Sequence, residues 1–233
     1  IKRSLLMKTI VVIGGSKGIG LSIVKLLTPS HRVISISRSV SNIEHENLTH
    51  YSVDVLSGEL PDISEVDGLV YCPGSINLKP ISRLKIEDFK NDFEINVIGA
   101  VKAIQKYARV MKDSQHPSIV LFSTVAVKLG MPFHASIATA KAGVEGLVKS
   151  LGAEFAPKIR INAIAPTVTD TELAAKLLRN ERMIENITER HPLKKFLSPD
   201  EVAEMTLFLL SHKTASMSGQ ILEMDCGIVN FKI

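Results

Sequence analysis

The sequence predicts a single-domain α/β protein with a doubly wound parallel sheet flanked by helices. Short apolar runs rich in β-branched residues alternate with longer segments whose apolar residues recur at helical intervals, which is typical of this class. The chain has 233 residues, 45% of them hydrophobic, which is enough to bury one sizeable core. We therefore predict one domain over residues 8–233, preceded over residues 1–7 by an N-terminal extension or an expression remnant.

The predicted elements alternate along the chain. Strands are expected over 9–13, 31–37, 48–53, 68–72, 118–122, 158–167 and 219–227. Helices are expected over 21–27, 86–111, 133–155 and 173–178, with a last helix starting at the Ser198 cap, and segment 56–65 has room for at most a short helix. Ligands of such sheets bind at the carboxyl ends of the strands, so that edge is the expected binding site. The strand-end residues that stand out there are Gly14, Asp54, Gly74 and Thr124.

Composition and charge argue against several classes of function. The net charge is +4 and the basic residues are scattered without interleaved aromatic residues, so nucleic-acid binding is not expected. No segment approaches the length of an apolar membrane span. Cys72 and Cys226 lie far apart, and the histidines lack ligand spacing, so we expect neither a disulfide framework nor a metal site. A reducing, cytoplasmic location fits these features.

The turn after the first strand has the composition of a phosphate-binding site. Glycines let the backbone approach a ligand closely, and the helix start behind them presents unpaired N–H groups to an anion. The pyrophosphate of a dinucleotide would fit such a cradle. Gly-rich turns also close ordinary connections between strands and helices, and spacing alone does not separate the two interpretations. The candidate cradle comprises Gly14, Ser16, Lys17, Gly18, Ile19 and Gly20.

The glycine spacing G-x-x-x-G-x-G resembles that of the short-chain dehydrogenase/reductase family. Further motifs in the family's order extend the resemblance from about Lys8 to Gly227. The resemblance implies a Rossmann-type fold, a nicotinamide dinucleotide cofactor and activity of the 3-oxoacyl-carrier-protein reductase type. It also implies a homodimer or homotetramer, and the predicted helices over 86–111 and 133–155 carry more apolar surface than one sheet face covers.

The end of the second strand indicates which dinucleotide is bound. In a dinucleotide fold an acidic side chain here selects NAD, whereas an arginine accommodates the 2′-phosphate of NADP. Ser37 and Arg38 supply no acid, and Lys17 is expected on the same side, so two cations would clamp the phosphate. We therefore predict NADP(H) as the cofactor. Two solvated surface cations are the alternative interpretation.

The resemblance assigns further residues to the cofactor. Asp54 matches an acidic residue that meets the adenine ring, and a strand-end turn or helix-cap aspartate is the alternative. Gly74 ends the segment Cys72-Pro73-Gly74, where the family has Asn-Ala-Gly. The glycine keeps the close backbone approach, while Pro73 removes a backbone donor.

Three residues of the second half complete the cofactor site that the resemblance implies. Lys141 matches the lysine that grips the nicotinamide ribose. Pro166 matches the proline of the family's Asn-x-x-x-Pro-Gly, with Thr167 in place of the glycine. Thr171 matches a threonine that reaches the nicotinamide amide or the pyrophosphate.

The same resemblance implies a catalytic group with one replacement. Lys141 fits the lysine of the family's Tyr-x-x-x-Lys motif, Ile137 stands at the tyrosine, and Thr124 stands at the catalytic serine. Asn96 matches a mid-helix asparagine that holds a water of a proton relay. Isoleucine has no titratable group, so the family's general acid is missing, a loss that typically costs roughly 10²- to 10⁴-fold. By themselves, Asn96 and Thr124 also fit an ordinary helix asparagine and a loop-capping hydroxyl.

Two functions therefore stay open. One is an oxidoreductase that reduces a ketone or 3-oxoacyl-like carbonyl with an altered proton donor, either a water on Lys141 or His134. The other is a catalytically inactive NADP-binding homologue that acts as a structural, regulatory or partner subunit. His134 also fits an ordinary helix-start histidine. The expected substrate is a small molecule or acyl group that the loop sequences do not identify further.

Overall fold

A seven-stranded sheet organises the fold, and the computed structural model describes residues 7–231. Its order is β3-β2-β1-β4-β5-β6-β7, and every neighbouring pair is parallel, so the predicted doubly wound α/β fold is confirmed. Of the predicted N-terminal extension, residues 1–6 lie outside the described residues. The strands are β1 (Thr9–Ile13), β2 (Arg32–Ser37), β3 (Leu48–Ser52), β4 (Gly68–Tyr71), β5 (Ser118–Phe122), β6 (Arg160–Pro166) and β7 (Ile221–Met224).

Helices cover both faces of the sheet. Successive strand residues point to opposite faces. Ile10 and Val12 therefore join a hydrophobic cluster with the first and last helices, whereas Val11 and Ile13 join a second cluster with the middle helices. The α-helices are α1 (Gly18–Leu27), α2 (Ile86–Phe93), α3 (Gly99–Met111), α4 (Ala135–Phe155), α5 (Glu181–Arg190) and α6 (Pro199–Leu210).

The long helix predicted before β5 is present, but a π-helical turn over Glu94–Ile98 separates α2 from α3. A π turn interrupts the regular hydrogen-bond ladder of the helix. Side chains bond two carbonyl oxygens of this region: Asn96 Nδ2 donates to Asp92 O at 2.7 Å, and Tyr71 Oη donates to Ile95 O at 2.6 Å. The irregular turn is thus stabilised from within the core, and it carries Asn96.

Two other helix predictions were wrong in extent. α4 begins at Ala135 because Phe133 has a φ of 70°, in the left-handed region that a right-handed helix does not use. The helix expected over 173–178 is reduced to a 3₁₀ turn over Glu172–Ala174, and α5 follows instead. The prediction missed α5 although Met183, Ile184 and Ile187 recur at helical spacing on one of its faces. None of the residues of α5 is buried, so this face is only partly covered. Segment 56–65 contains no helix.

The direction of strand addition reverses between β1 and β4, which are neighbours near the centre of the sheet. Connections leave these two strands in opposite directions, and this opens a crevice at their carboxyl ends. The two turns meet there closely, since a Cβ atom on Gly14 would lie 3.0 Å from Pro73 Cδ. The glycine turn after β1 and Gly74 after β4 therefore share one crevice.

Candidate functional site

The glycine turn forms one wall of the crevice. Gly14 and Gly18 have φ values of 81° and 50°, which residues with a side chain rarely adopt. A Cβ atom on Gly20 would lie 2.2 Å from Gly14 O, so the turn closes only with glycine at that position. Lys17 is the N-cap residue of α1 and its side chain makes no capping bond. The first N–H groups of α1 are therefore available to an anion.

A cleft of about 630 Å³ runs along the carboxyl ends of the central strands. Lys141 and Pro166, which were also predicted to contact the cofactor, are not part of its lining. Sequence reasoning missed Ser39 and Glu172, although each directly follows a predicted site residue. The predicted cofactor residues that line the cleft are Gly14, Ser16, Lys17, Gly18, Ile19, Gly20, Arg38, Asp54, Gly74 and Thr171.

Arg38 lines the cleft together with three hydroxyl residues, Ser16, Ser37 and Ser39. Ser16 Oγ and Ser39 Oγ are 3.1 Å apart, which links the glycine turn to the segment after β2. Ser37 Oγ donates to Ser39 O at 2.9 Å, so this buried residue shapes the loop. Arg38 itself is exposed. An exposed arginine and hydroxyl groups lining one cleft have the chemistry of a phosphate site.

Lys17 was predicted to clamp a phosphate together with Arg38, but in the structure its side chain pairs with Glu172. Its Nζ donates to Glu172 Oε2 at 2.7 Å, and both side chains are exposed, by 62% and 70%. This ion pair connects the glycine turn to the 3₁₀ turn over Glu172–Ala174. Thr171 packs close to the glycine turn, since its Cγ2 would lie 3.2 Å from a Cβ atom built on Gly18. A phosphate bound at Lys17 would therefore compete with Glu172.

Asp54 lines the cleft and also organises its own turn. Its Oδ1 accepts a hydrogen bond from Leu56 N at 2.9 Å, and its backbone oxygen accepts one from Gly58 N at 2.7 Å. These two bonds agree with the alternative interpretation of Asp54 as an aspartate of a strand-end turn. Because the same residue faces the cleft, the two interpretations are compatible.

Lys141 reaches from α4 to the end of β5. Its Nζ donates to Phe122 O at 2.8 Å, and the same Nζ would lie 3.7 Å from a Cβ atom on Gly74. Burial lowers the pKa of Lys141 to about 8, although Cys72 and Asp92 oppose the shift by stabilising the charged ammonium. Burial raises the pKa of the Cys72 thiol to about 12. Lys141 is therefore the group beside Gly74 whose protonation changes near neutral pH.

Asn96 faces the same glycine from the π turn. Its Oδ1 would lie 3.3 Å from a Cβ atom on Gly74. The residue is 1% exposed, and within residues 7–231 this oxygen accepts no hydrogen bond. Since buried polar atoms are almost always paired, an unused acceptor at this place marks a site for a donor. Lys141 and Asn96 thus converge on Gly74.

Three further residues were predicted to belong to the catalytic group or to replace its acid: Thr124, Ile137 and His134. Thr124 Oγ1 accepts a hydrogen bond from Ala126 N at 3.3 Å, as the capping interpretation predicts. That bond uses an oxygen lone pair and leaves the hydroxyl hydrogen for another acceptor. Ile137 is 5% exposed, one helical turn before Lys141. His134 is the N-cap residue of α4, and its Nδ1 lies 2.7 Å from Pro132 O, which matches the helix-start interpretation.

Sequence reasoning also missed a buried carboxylate beside this group. Asp92 is 0% exposed and accepts hydrogen bonds from Ser75, Asn77 and Ser136. One signal was present: Asp92 lies four positions before Asn96, so the two residues share one helix face. Burying an acid is costly unless it is hydrogen-bonded, and these three donors offset that cost for Asp92.

Pro166 and Thr167 end β6 on the far side of the site. Thr167 Oγ1 and His191 Nε2 are 2.7 Å apart, and His191 Nδ1 lies 2.7 Å from Ile187 O. These bonds tie the end of β6 to the end of α5. Thr167, which stands where the family has glycine, therefore provides the hydroxyl group that bonds His191.

Comparison with known proteins agrees with this geometry. The family model described as enoyl-(acyl carrier protein) reductase matches residues 50–229. Carbonyl reductase (NADPH) 2 from Sus scrofa is 31% identical over 229 residues, which cover 93% of this chain and 94% of that protein. The chain belongs to the short-chain dehydrogenase/reductase family.

Other members of the short-chain dehydrogenase/reductase family are similarly close. A 3-oxoacyl-(acyl-carrier-protein) reductase from Thermotoga maritima is 32% identical over 177 residues, which cover 76% of this chain and 71% of that protein. The ligand-free aldohexose dehydrogenase of Thermoplasma acidophilum superposes with a TM-score of 0.88 at 26% identity, covering 97% of this chain and 95% of that chain. The fold of this short-chain dehydrogenase/reductase is therefore shared along almost its whole length.

Two features are absent from the described part of this short-chain dehydrogenase/reductase. In the part of the chain that the structure describes, no helix is both long and apolar enough to cross a membrane. Across the same residues, no group of three or more His, Cys, Asp or Glu side chains is arranged to hold a metal ion.

Proposed function

We propose that this chain is an NADP(H)-dependent reductase of ketones or 3-oxoacyl-like carbonyls that takes its proton from water. The observation that carries this proposal is the convergence of Lys141 Nζ and Asn96 Oδ1 on Gly74. The ammonium of the half-buried Lys141 and the unused buried acceptor of Asn96 are two groups that together could hold and recharge a proton-donating water. Membership of a family with carbonyl reductases supports the reaction type.

The residues that line the cleft, together with Lys141 and Pro166 outside its lining, fit a dinucleotide. A Cβ atom on Gly15 or Gly20 would clash with neighbouring protein atoms, so the turn keeps its backbone exposed, and the uncapped start of α1 suits a pyrophosphate. Arg38 would hold the 2′-phosphate, Asp54 the adenine, and Lys141 the nicotinamide ribose, with Pro166 and Thr171 at the nicotinamide end. The name of the porcine relative, carbonyl reductase (NADPH) 2, supports the phosphorylated form. When bound, the cofactor supplies a hydride to the carbonyl carbon.

The residues of the chain act on the carbonyl oxygen. Thr124 Oγ1 already accepts a hydrogen bond from Ala126 N, so the Thr124 hydroxyl hydrogen is available to polarise the carbonyl oxygen. Hydride addition leaves an alkoxide, which takes a proton from a water held between Lys141 Nζ and Asn96 Oδ1. The Lys141 ammonium returns a proton to the hydroxide that remains, so the product is the alcohol and neutral Lys141. A lysine with a pKa of about 8 suits this exchange near neutral pH.

A second candidate function is NADP(H) binding without turnover, in a structural, regulatory or partner role. Ile137 favours it, because a buried isoleucine at the position of the family's tyrosine cannot donate a proton. Both functions require the same cleft. They differ only in whether the group around Lys141 turns over a substrate.

A turnover assay on ketones, aldehydes and 3-oxoacyl thioesters with NADPH and NADH separates the two functions. We expect carbonyl-dependent NADPH oxidation that falls at least about 100-fold in Lys141→Ala. Lys149→Ala is the matched control, because Lys149 is an exposed lysine on the same helix. NADPH binding in the low micromolar range without turnover on any substrate would favour the inactive homologue.

We also propose that two copies of this chain pair through α2 and α4. Phe93 on α2 is 43% exposed and Ile86 is 73% exposed. A cavity of about 440 Å³ lies between the two helices. Its lining comprises Phe89, Phe93 and Ala140 together with the polar residues Lys90, Glu94, Ser136 and Thr139. A mostly apolar, unfilled groove between the short helix α2 and the long helix α4 suits a self-complementary helix interface.

Sedimentation velocity tests this pairing. We expect a dimer or tetramer for the wild type and a monomer for Phe93→Asp at micromolar concentration. Phe208→Asp is the matched variant, since Phe208 is also 43% exposed but lies on α6 in the opposite layer. A wild-type chain that is monomeric at every concentration would refute the proposal.

A further inference from the structure

Asp92 is the acceptor at the centre of a buried hydrogen-bond cluster. Its Oδ1 accepts from Ser75 Oγ at 2.5 Å and from Asn77 Nδ2 at 2.8 Å, and its Oδ2 accepts from Ser136 Oγ at 2.6 Å. The donors come from the segment after β4 and from the first turn of α4. A carboxylate only accepts hydrogen bonds, so each neighbour must turn its hydrogen toward Asp92.

The direction of the Ser75 hydroxyl determines what Ser75 can do for Asn96. A serine hydroxyl has one hydrogen, and Ser75 donates it to Asp92. Its oxygen then accepts from Asn96 Nδ2, at 3.1 Å. The same nitrogen also donates to the backbone oxygen of Asp92 at 2.7 Å. Both amide hydrogens of Asn96 are therefore used on the side of Asp92.

The remaining polar atom of Asn96 points the other way. Its Oδ1 would lie 3.3 Å from a Cβ atom on Gly74, where Lys141 Nζ would lie at 3.7 Å. A flipped amide would set Oδ1 against the Asp92 backbone oxygen and place two hydrogens toward Lys141. Two acceptors in contact repel each other, so the cluster around Asp92 permits one orientation.

We propose that Asp92 is a positioning residue, which acts through Ser75 to hold the Asn96 amide with Oδ1 toward Lys141. In this orientation Asn96 presents an acceptor to the water or ammonium beside Gly74. The catalytic consequence rests on the proposed reductase function, whereas the orientation of the amide does not. Asp92, Ser75 and Asn96 form a directional chain from the core to the reacting group.

Ser75 and Ser136 form a matched pair for testing this proposal. Each hydroxyl donates to the Asp92 carboxylate, at 2.5 Å and 2.6 Å, so each Ser→Ala change removes one donor from the same group. Of the two, Ser75 also accepts from Asn96. A general loss of stability would affect both variants alike, but a loss of Asn96 orientation follows only from Ser75→Ala.

Hydrogen exchange of the Asn96 side-chain amide, followed by ¹⁵N NMR, tests the orientation without any assay of activity. The resonance is identified by its absence in Asn96→Asp. We expect exchange at least tenfold faster in Ser75→Ala and in Asp92→Asn, and within twofold of wild type in Ser136→Ala and in Ser75→Thr, which keeps the hydroxyl. Equal effects of Ser75→Ala and Ser136→Ala would overturn the proposal, even if Asp92→Asn fails to fold.

Kinetics test the catalytic consequence. We expect kcat for carbonyl reduction to fall at least tenfold in Ser75→Ala, with the Kd for NADPH within twofold of wild type and with Ser136→Ala unchanged within twofold. Faster Asn96 exchange with an unchanged kcat would refute the positioning role. If the wild type does not turn over, the proposed reductase fails by itself, and the exchange measurements still decide the orientation.

Discussion

Lys141 Nζ donates a hydrogen bond of 2.8 Å to the backbone oxygen of Phe122, which joins the middle of α4 to the last residue of β5. Burial lowers the pKa of Lys141 to about 8, below the value of about 10.4 in an unfolded chain. Between these values the folded chain binds fewer protons than the unfolded chain. The contribution of this lysine to the free energy of unfolding therefore rises with pH across that window.

We predict that the stability of the wild type relative to Lys141→Met increases by roughly 2–3 kcal/mol between pH 8 and pH 10.4. Urea unfolding followed by circular dichroism at several pH values measures this difference. Lys149→Met is the control, because Lys149 is exposed on the same helix. If the Lys141→Met and Lys149→Met curves stay parallel over this range, the ammonium is not buried as described.

Arg38 is predicted to select NADPH over NADH. A charge-assisted contact to a 2′-phosphate is worth roughly 1.5–3 kcal/mol, so Arg38→Ala should weaken NADPH binding about tenfold or more and change NADH binding less than about twofold. Fluorescence titration with both cofactors measures this. Arg32→Ala is the control, since Arg32 is exposed at the opposite end of β2. An equal loss for NADPH and NADH would contradict the assignment.

Glu172 is predicted to weaken NADPH binding by holding Lys17. Exposed ion pairs contribute roughly 0.2–1 kcal/mol, so Glu172→Gln should raise NADPH affinity by up to about fivefold at low salt. The gain should shrink as salt is added, because salt screens exposed charges. Isothermal titration calorimetry at two salt concentrations measures both effects. Glu189→Gln, which breaks the exposed Lys194 pair of 2.9 Å, should leave affinity unchanged. A weaker affinity in Glu172→Gln would show that the carboxylate assists binding.

Ile137→Tyr is predicted to increase reductase activity. Residues four apart on a helix share one face, so the phenol would lie beside the Lys141 ammonium, whose charge favours the phenolate and lowers the tyrosine pKa. A positioned acid contributes roughly 10²- to 10⁴-fold, and an increase of at least tenfold in kcat is expected.

Ile137→Phe is the control for this change, because it adds the ring without the hydroxyl. A tyrosine variant that folds, binds NADPH and shows no turnover would indicate that the site lacks more than its acid. A tyrosine variant slower than an active wild type would point to another proton source. His134→Ala would then separate a histidine donor from a water at Lys141.

Much of the fold could be predicted because it is encoded locally. β-branched runs mark the strands, and the Ser198-Pro199 start of α6 is predictable from its capping box with Glu201, which the structure contains. The assignments of Asn96, Thr124 and Lys141 to catalysis stay predictions. Helix α5 was missed although Met183, Ile184 and Ile187 recur at helical spacing, and what sequence could not show is that none of its residues is buried.

By itself, the sequence determined the alternation of strands and helices, the glycine turn and the absence of an acid at Ser37, since each depends on residues close together in the chain. Tertiary structure decided which distant groups meet. Lys17 pairs with Glu172, 155 positions away, and Ser136 meets Asp92 across 44 positions. Hydrogen bonds and ion pairs need atoms within a few ångströms, and packing of the helices on the sheet sets those distances. Local patterns therefore predict the scaffold, whereas the partner of each charge follows from the packed structure.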